Sequence, residues 1–195
     1  MNMATNQAKD RTHITFQAPV ALKERIIELA MLSVLVDTAT GLPVGPVTVF
    51  EAFEDPGKPI SPEVQALTGI SDDDVRGQRI DDAQVEALVH AADVVLAHNA
   101  GFDMGVLRAS AGLIDAPLPS LNYACSLMIS RKTYNLESYR LNAVAYAIGH
   151  EEFDHHDALA DSDACARVII HAADRHGVDS LAELAAAVKH EIKAL

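Results

Sequence analysis

The stretch "VVLAHNAGFDMGVLR", Val94 to Arg108, carries two periodicities in one line of sequence. Val94 to His98 is a short, almost wholly apolar run, which reads as a buried strand. Asp103, Val106 and Leu107 then recur at three- and four-residue spacing, which reads as a helix opening directly after it. His98 and Asn99 fall at the join, and Asp103 lies in the first helical turn. The carboxyl end of such a strand is where α/β sheets bind ligands. Asp103 leans toward the apolar side of its own helix. An acid in that place either complements the helix dipole or holds something at the end of the strand.

A second acid has the same placement. In "HHDALADSDACARVI", His155 to Ile169, helical spacing puts Asp161 on one face with Ala158, Ala164, Cys165 and Val168. That face is otherwise apolar, and a lone buried carboxylate is costly unless it is paired or bound to a metal. Asp161 could serve the helix dipole or pair with Arg167. Two acids placed alike on separate helices suggest instead a shared divalent cation. Carboxylate oxygens suit Mg2+ or Mn2+, whereas zinc prefers imidazole or thiolate.

The rest of the chain sets these helices in an α/β frame. "HITFQ" (His13 to Gln17) is a short strand candidate, and Glu24 to Asp37 is a longer apolar one. "ATGLPVGP" closes a hairpin, and "VTVFEAF" is the return strand, so the sheet begins antiparallel. Ser61 and Pro62 open a short helix that Gly69 closes. Asp81 and Asp82 open "AQVEALVHAAD", and "AGFDMGVLRASAG" is a helix ended by Gly112. A strand is expected around Tyr123 to Ser126, a helix near "YRLNAVAYAIG", and a long helix from about Asp157 to His176. The last helix is "SLAELAAAVKHEIKAL", with Ser180 and Glu183 in capping-box spacing. Residues 1–11 read as a disordered tail and 12–195 as a single α/β domain.

Composition narrows the classes. The chain has 195 residues, 49% apolar and 22% charged, the balance of a soluble globular protein. No apolar run is long enough to span a bilayer, so no membrane role is expected. Cys125 and Cys165 form no CxxC pair, and the N-terminus lacks a secretory pattern, which points to the cytoplasm. The net charge of −13 argues against wrapping duplex by its phosphates but leaves brief engagement of a strand end through metal ions.

"HNAGFD" and "HDALAD" resemble the second and third motifs of the DEDDh 3′–5′ exonucleases, the superfamily of the proofreading subunit of bacterial replicative polymerase. "ERIIELAM", "FEDPGKPISPEVQALTGISDDDV" and "ACSLMISRKTYNLESYRLNAVAYAIG" are similar to its connecting regions, so the resemblance covers roughly Glu24 to Ile170. It implies a ribonuclease H-like fold: a mixed β-sheet with antiparallel first strands, flanked by helices. It also implies two Mg2+ or Mn2+ ions held by four carboxylates, Asp103 and Asp161 among them. His156 would be the general base that deprotonates the attacking water. Asn99 and Phe102 match substrate-binding motif positions, Asn99 ordering the loop and Phe102 packing. Single-stranded 3′ ends are the implied substrate, with a protein partner besides.

One motif departs from the pattern. The family's first strand carries Asp-x-Glu roughly a dozen residues before the "RIIE" segment. No carboxylate lies between Asp10 and Glu24 here, and counting back puts His13, Ile14 and Thr15, or a neighbouring window, where the acids belong. Thr15 or His13 could hold a metal only weakly. "VDTATG" (Val36 to Gly41) mimics the motif but falls in the hairpin turn. Two readings follow: an exonuclease impaired by the lost acids, or an inactive exonuclease-fold module that binds strand ends or a protein. A zinc hydrolase built on "HEEFDHH" is disfavoured, because His155 stands one residue late for HExxH.

Overall fold

Two long strands run side by side at the centre of the molecule: β1 (Arg11–Leu22) and β2 (Arg25–Asp37), paired antiparallel. The computed structural model describes residues 11–22, 25–113, 120–150 and 154–195. The expected tail lies outside these residues except for Arg11, which already belongs to β1. β1 is therefore longer than the five-residue strand expected. Its amide and carbonyl groups are satisfied by β2 on one side and by β4 (Val94–Ala97) on the other, the latter in parallel from Ile14 to Phe16.

The hairpin after β2 is closed by a side chain. Asp37 Oδ1 accepts hydrogen bonds from the backbone N–H groups of Ala39 and Thr40 and from the Thr40 hydroxyl. Gly41 sits at φ 67°, the left-handed conformation that glycine adopts without steric cost. Asp37 is thus committed to the turn, as its position in the sequence implied. β3 (Thr48–Phe53) returns along β2.

Three short helices follow. α1 (Pro62–Thr68) starts on the Ser61 hydroxyl and ends at Gly69 in the left-handed conformation. α2 (Asp72–Val75) is a single turn with a complete Ser71–Asp74 capping box. α3 (Asp82–Ala91) is capped by Asp81. β4 then feeds α4 (Ala100–Leu113), which runs one residue past the expected stop at Gly112. β5 (Asn122–Cys125) passes without a break into α5 (Ser126–Thr133), followed by α6 (Leu141–Ala147) and the long α7 (Ala158–His176).

The C-terminal segment differs from the single helix expected. α8 (Leu181–Ala187) is capped by the Ser180 hydroxyl, while Glu183 bonds the N–H of Asp179 rather than that of Ser180. The helix stops where Lys189 turns to φ 51°. His190 Nε2 then accepts the N–H of Cys125, and β6 (Lys193–Ala194) pairs antiparallel with β5. Pairing with an open strand edge outcompetes two more exposed helical turns.

The sheet order is β3-β2-β1-β4-β5-β6, antiparallel at both ends and parallel in the middle. This is the mixed sheet with antiparallel first strands that the sequence implied, and it is flanked by helices. Ile14, Phe16, Leu96 and Ala124 point to one face and pack under α5, α7 and α8. Leu29, Met31 and Val95 point to the other and pack under α3 and α4. No helix among the described residues is long and apolar enough to cross a membrane.

Leu96 is fully buried at the centre of the sheet. Truncation there leaves a cavity between rigid strands, so Leu96→Ala should cost about 2–5 kcal/mol. Urea unfolding with an unchanged m-value would register the loss; a midpoint equal to wild type would contradict this placement of the core.

Candidate active site

The carboxyl end of β4 lies beside the middle of β1. Phe16 is level with Leu96, so Gln17 stands level with Ala97, the last residue before the β4–α4 loop. Alternation along the strand turns Gln17 to the α3/α4 side with Met31, its partner on β2. It is 2% exposed, and its Nε2 has no hydrogen-bond partner among the described residues. Such a buried orphan donor carries a desolvation cost. Beyond Phe16 only β2 flanks β1, which is where a strand tolerates Pro19. The other polar residues of β1 are engaged elsewhere: Thr15 Oγ1 lies 2.9 Å from Ser33 Oγ, which lies 2.8 Å from His13 Nε2. Thr15 and His13 are bound to Ser33, not directed to a common ligand site.

The β4–α4 turn depends on Asn99, at φ 74°, a conformation asparagine tolerates better than most residues. Its carbonyl accepts the N–H of Phe102 as α4 begins. Phe102 does not pack: 48% of it is exposed, because the first turn of α4 turns Asp103 and Met104 inward instead. Asp103 is only 4% exposed, and burial pushes its carboxyl up to about 7.

His98, in the same loop, joins the two helical layers. Its Nε2 donates to the carbonyl of Tyr139, and its Nδ1 faces the Ser126 hydroxyl at 2.8 Å. Burial lowers its pKa, so the neutral ring accepts from Ser126 at Nδ1. Cys165 on α7 donates to the same hydroxyl at 3.3 Å, and burial lifts its thiol to about 12. Ser126, buried as the hub of this chain, is a structural hydroxyl. Asp103 and Asp161 both add to the rise at Cys165.

The start of α7 gathers a tighter group. His155 Nδ1 lies 2.8 Å from Asp161 Oδ1, and the His155 and His156 rings stack at 4.0 Å. Ligand atoms of His155, His156 and Asp161 all lie within 4.8 Å of one another. Asp103 belongs to no such three-residue group among the described residues. Asp161 therefore has His155 as partner, not Arg167, which bonds Asp163. His156 occupies φ 86°, strained for a residue with a side chain. Burial, then the neighbouring His155, lowers its pKa. The HExxH alternative loses its helix: His150 follows α6 outside any helical element, and residues 151–153 lie outside those described.

A second acidic group, Glu28, Glu51 and Asp157, sits beside the first, again within 4.8 Å. Glu28, the acid of "RIIE", is buried, and its Oε2 accepts the N–H of Ala158. Burial and then repulsion from Asp157, Glu51 and Asp161 raise its carboxyl from 4.5 to about 7, despite that hydrogen bond. Sequence reasoning passed over Glu28, His155 and Gln17. The available signal for Glu28 was the same as for Asp161, an acid inside an apolar run.

The exonuclease family model (RNase T) matches residues 15–169. The PolC-type DNA polymerase III of Halalkalibacterium halodurans is 33% identical over 159 residues, 76% of this chain and 10% of that protein. That of Streptococcus pneumoniae strain R6 is 32% identical over 145 residues, 71% of this chain and 10% of that protein. The chain spans about a tenth of the length of these relatives. Among solved structures, exonuclease X in complex with 5′ overhanging duplex DNA superposes with a TM-score of 0.65 at 20% identity, over 90% of this chain and 98% of that one. A 3′-exonuclease recognising the histone mRNA stem-loop gives 0.67 at 13% identity, over 95% and 90%.

The raised carboxyl of Glu28 has a definite sign for stability. The folded state holds the proton more tightly than the unfolded chain, so Glu28 favours folding below its unfolded pKa and loses that contribution as pH rises through about 7. Glu28→Gln keeps an acceptor for Ala158 and removes the charge. Its melting temperature, measured without added metal, should exceed that of wild type at pH 8 and converge with it at pH 4; parallel curves would refute the assignment.

Proposed function

The chain belongs to the exonuclease family, and from that premise we propose that it acts on nucleic-acid 3′ ends as a 3′–5′ exonuclease whose hydrolysis is impaired. The observation that carries this reading is the convergence of His156, Asp161 and His98 at the carboxyl end of β1, with Asp103 entering from α4. Three letters of the DEDDh pattern are then Asp103, Asp161 and His156. We assign the first motif to Gln17 and Pro19. They share one face of β1 by two-residue spacing, they follow the last residue of β1 that pairs with β4, and the family match begins at Thr15.

The donor set does not fit two divalent ions. Gln17 offers one neutral oxygen and Pro19 none, where the resemblance implies two carboxylates. The remaining acids suit a single divalent ion, Mg2+ or Mn2+, which would supply positive charge against the phosphodiester. What the chain itself does is narrower. His156, kept neutral near pH 7 by burial and by His155, can take the proton of a water molecule. The exposed ring of Phe102 offers a base a stacking surface beside the site. The net charge of −13 confines contact to a strand end and not a long phosphate track. Two free cysteines, one buried, fit the reducing cytoplasm. The matched relatives are DNA polymerases, so a protein partner belongs to this reading.

One observation favours a second reading, a module that binds ends without cutting them. The unpaired Nε2 of Gln17 can donate to a phosphate oxygen where an aspartate would repel it.

A 5′-labelled single strand incubated with Mn2+ separates the two. Under the first reading mononucleotides are released slowly, and His156→Ala abolishes the release. Restoring the acids with Gln17→Asp and Pro19→Glu should raise the rate at least about 100-fold, since metal ligands outweigh the 10–100-fold effects of the groups behind them. No release at high enzyme, with 3′-end binding intact, would leave the binding module.

A further inference from the structure

We infer that His155, His156 and Asp161 form a site for one borderline transition ion, Zn2+ above all, which shares Asp161 with an Mg2+ site but differs from it in its two imidazole ligands and in metal preference. The donors are two imidazoles and one carboxylate, the set that suits zinc and similar ions with an open fourth position. Mg2+ is a poor competitor, because it demands near-octahedral oxygen ligands and gives up its waters reluctantly. The three ligand atoms already lie within 4.8 Å of one another. A tetrahedral ion with bonds of about 2.0–2.1 Å holds its ligand atoms roughly 3.3 Å apart, so small side-chain rotations suffice.

The backbone is arranged for this convergence. Consecutive residues usually direct their side chains apart, yet the left-handed φ of 86° at His156 brings its ring over that of His155, at 4.0 Å and 26° between planes. A strained conformation persists only where its surroundings enforce it, and such conformations cluster at ligand sites. Asp161 comes from the first turn of α7, so the helix fixes the third ligand. The His155 and Asp161 side chains are 26% and 16% exposed, which leaves the group reachable from solvent.

A bound ion takes a ring nitrogen of His156 and so removes that imidazole from proton transfer. Zn2+ then inhibits hydrolysis. This consequence rests on the exonuclease reading, whereas the ion site itself does not.

The full chain, freed of metal, is titrated with Co2+ followed by visible absorption and with Zn2+ followed by calorimetry. One equivalent should bind, with Co2+ giving the intense bands of a four-coordinate site, and Mg2+ should bind at least about tenfold more weakly. His155→Ala and Asp161→Asn should each weaken Zn2+ at least about tenfold, more than the loss of a group behind a ligand. Circular dichroism checks their folding, and His155→Gln, which keeps a hydrogen-bonding side chain but no imidazole, replaces His155→Ala if that variant unfolds. In the Mn2+ nuclease assay Zn2+ should suppress release from wild type and spare His155→Ala. Zn2+ affinity unchanged in every His155 variant, or no better than that of Mg2+, overturns the site. If the protein never cuts, the Co2+ spectrum still reads the site, so failure of the exonuclease reading and failure of the ion site are distinguishable.

Discussion

The hydrogen bond from the N–H of Ala158 to the buried carboxylate of Glu28 fixes where α7 begins, and the site depends on that point. Glu28 stands on β2, so the bond ties a helix terminus directly to the sheet. One turn on, the Ser162 hydroxyl donates to the carbonyl of Ala30 on the same strand. Ala158, Ser162 and Cys165 are small, which lets α7 lie close across β1 and β2. With its first turn held there, α7 brings His156 and Asp161 to the carboxyl end of β1. A helix started one residue later would rotate Asp161 about 100° away from that end.

The same contact shows how strongly the fold weighs position against electrostatics. Glu28 is held among Glu51, Asp157 and Asp161 at a cost that lifts its carboxyl to about 7. Asp157 caps α7 through the N–H of Ala160 while adding to the repulsion at Glu28. A helix N-terminus favours nearby anions, which offsets part of this cost. The Glu28–Ala158 anchor and the Asp157 cap therefore support one another through a single set of backbone donors.

Much of this was legible from residues alone. Period-two and period-3.6 patterns, with Ser61, Asp81 and Ser180 as caps, located most strands and helices, because each signal is local. The outward-facing Phe102, the continuous β5–α5 junction and the short β6 were not legible. α5 has no side-chain cap to announce it, since its N-cap residue is Cys125. β6 forms only because β5 offers it an edge, a partner about seventy residues distant. At the site, Asp103 and Asp161 were readable as acids on apolar faces. His155 was not, since helical spacing cannot foresee a left-handed residue that stacks neighbouring rings. The first-strand window stayed open because counting without a register does not separate the His13–Thr15 window from Gln17 and Pro19, four residues on, and residues an even number apart on a strand share a face.

That shift carries a physical consequence. Four carboxylates crowded into one cleft repel each other and are tolerable mainly when cations neutralise them. On the proposed assignment of the first motif to Gln17 and Pro19, no carboxylate of β1 adds to the charge of Asp103 and Asp161. Asp103 bears its burial by holding its proton more tightly, at about 7. Asp161 does so by pairing with His155. Gln17 keeps a polar group but leaves its Nε2 without a partner among the described residues, a cost that a fully apolar replacement would not incur.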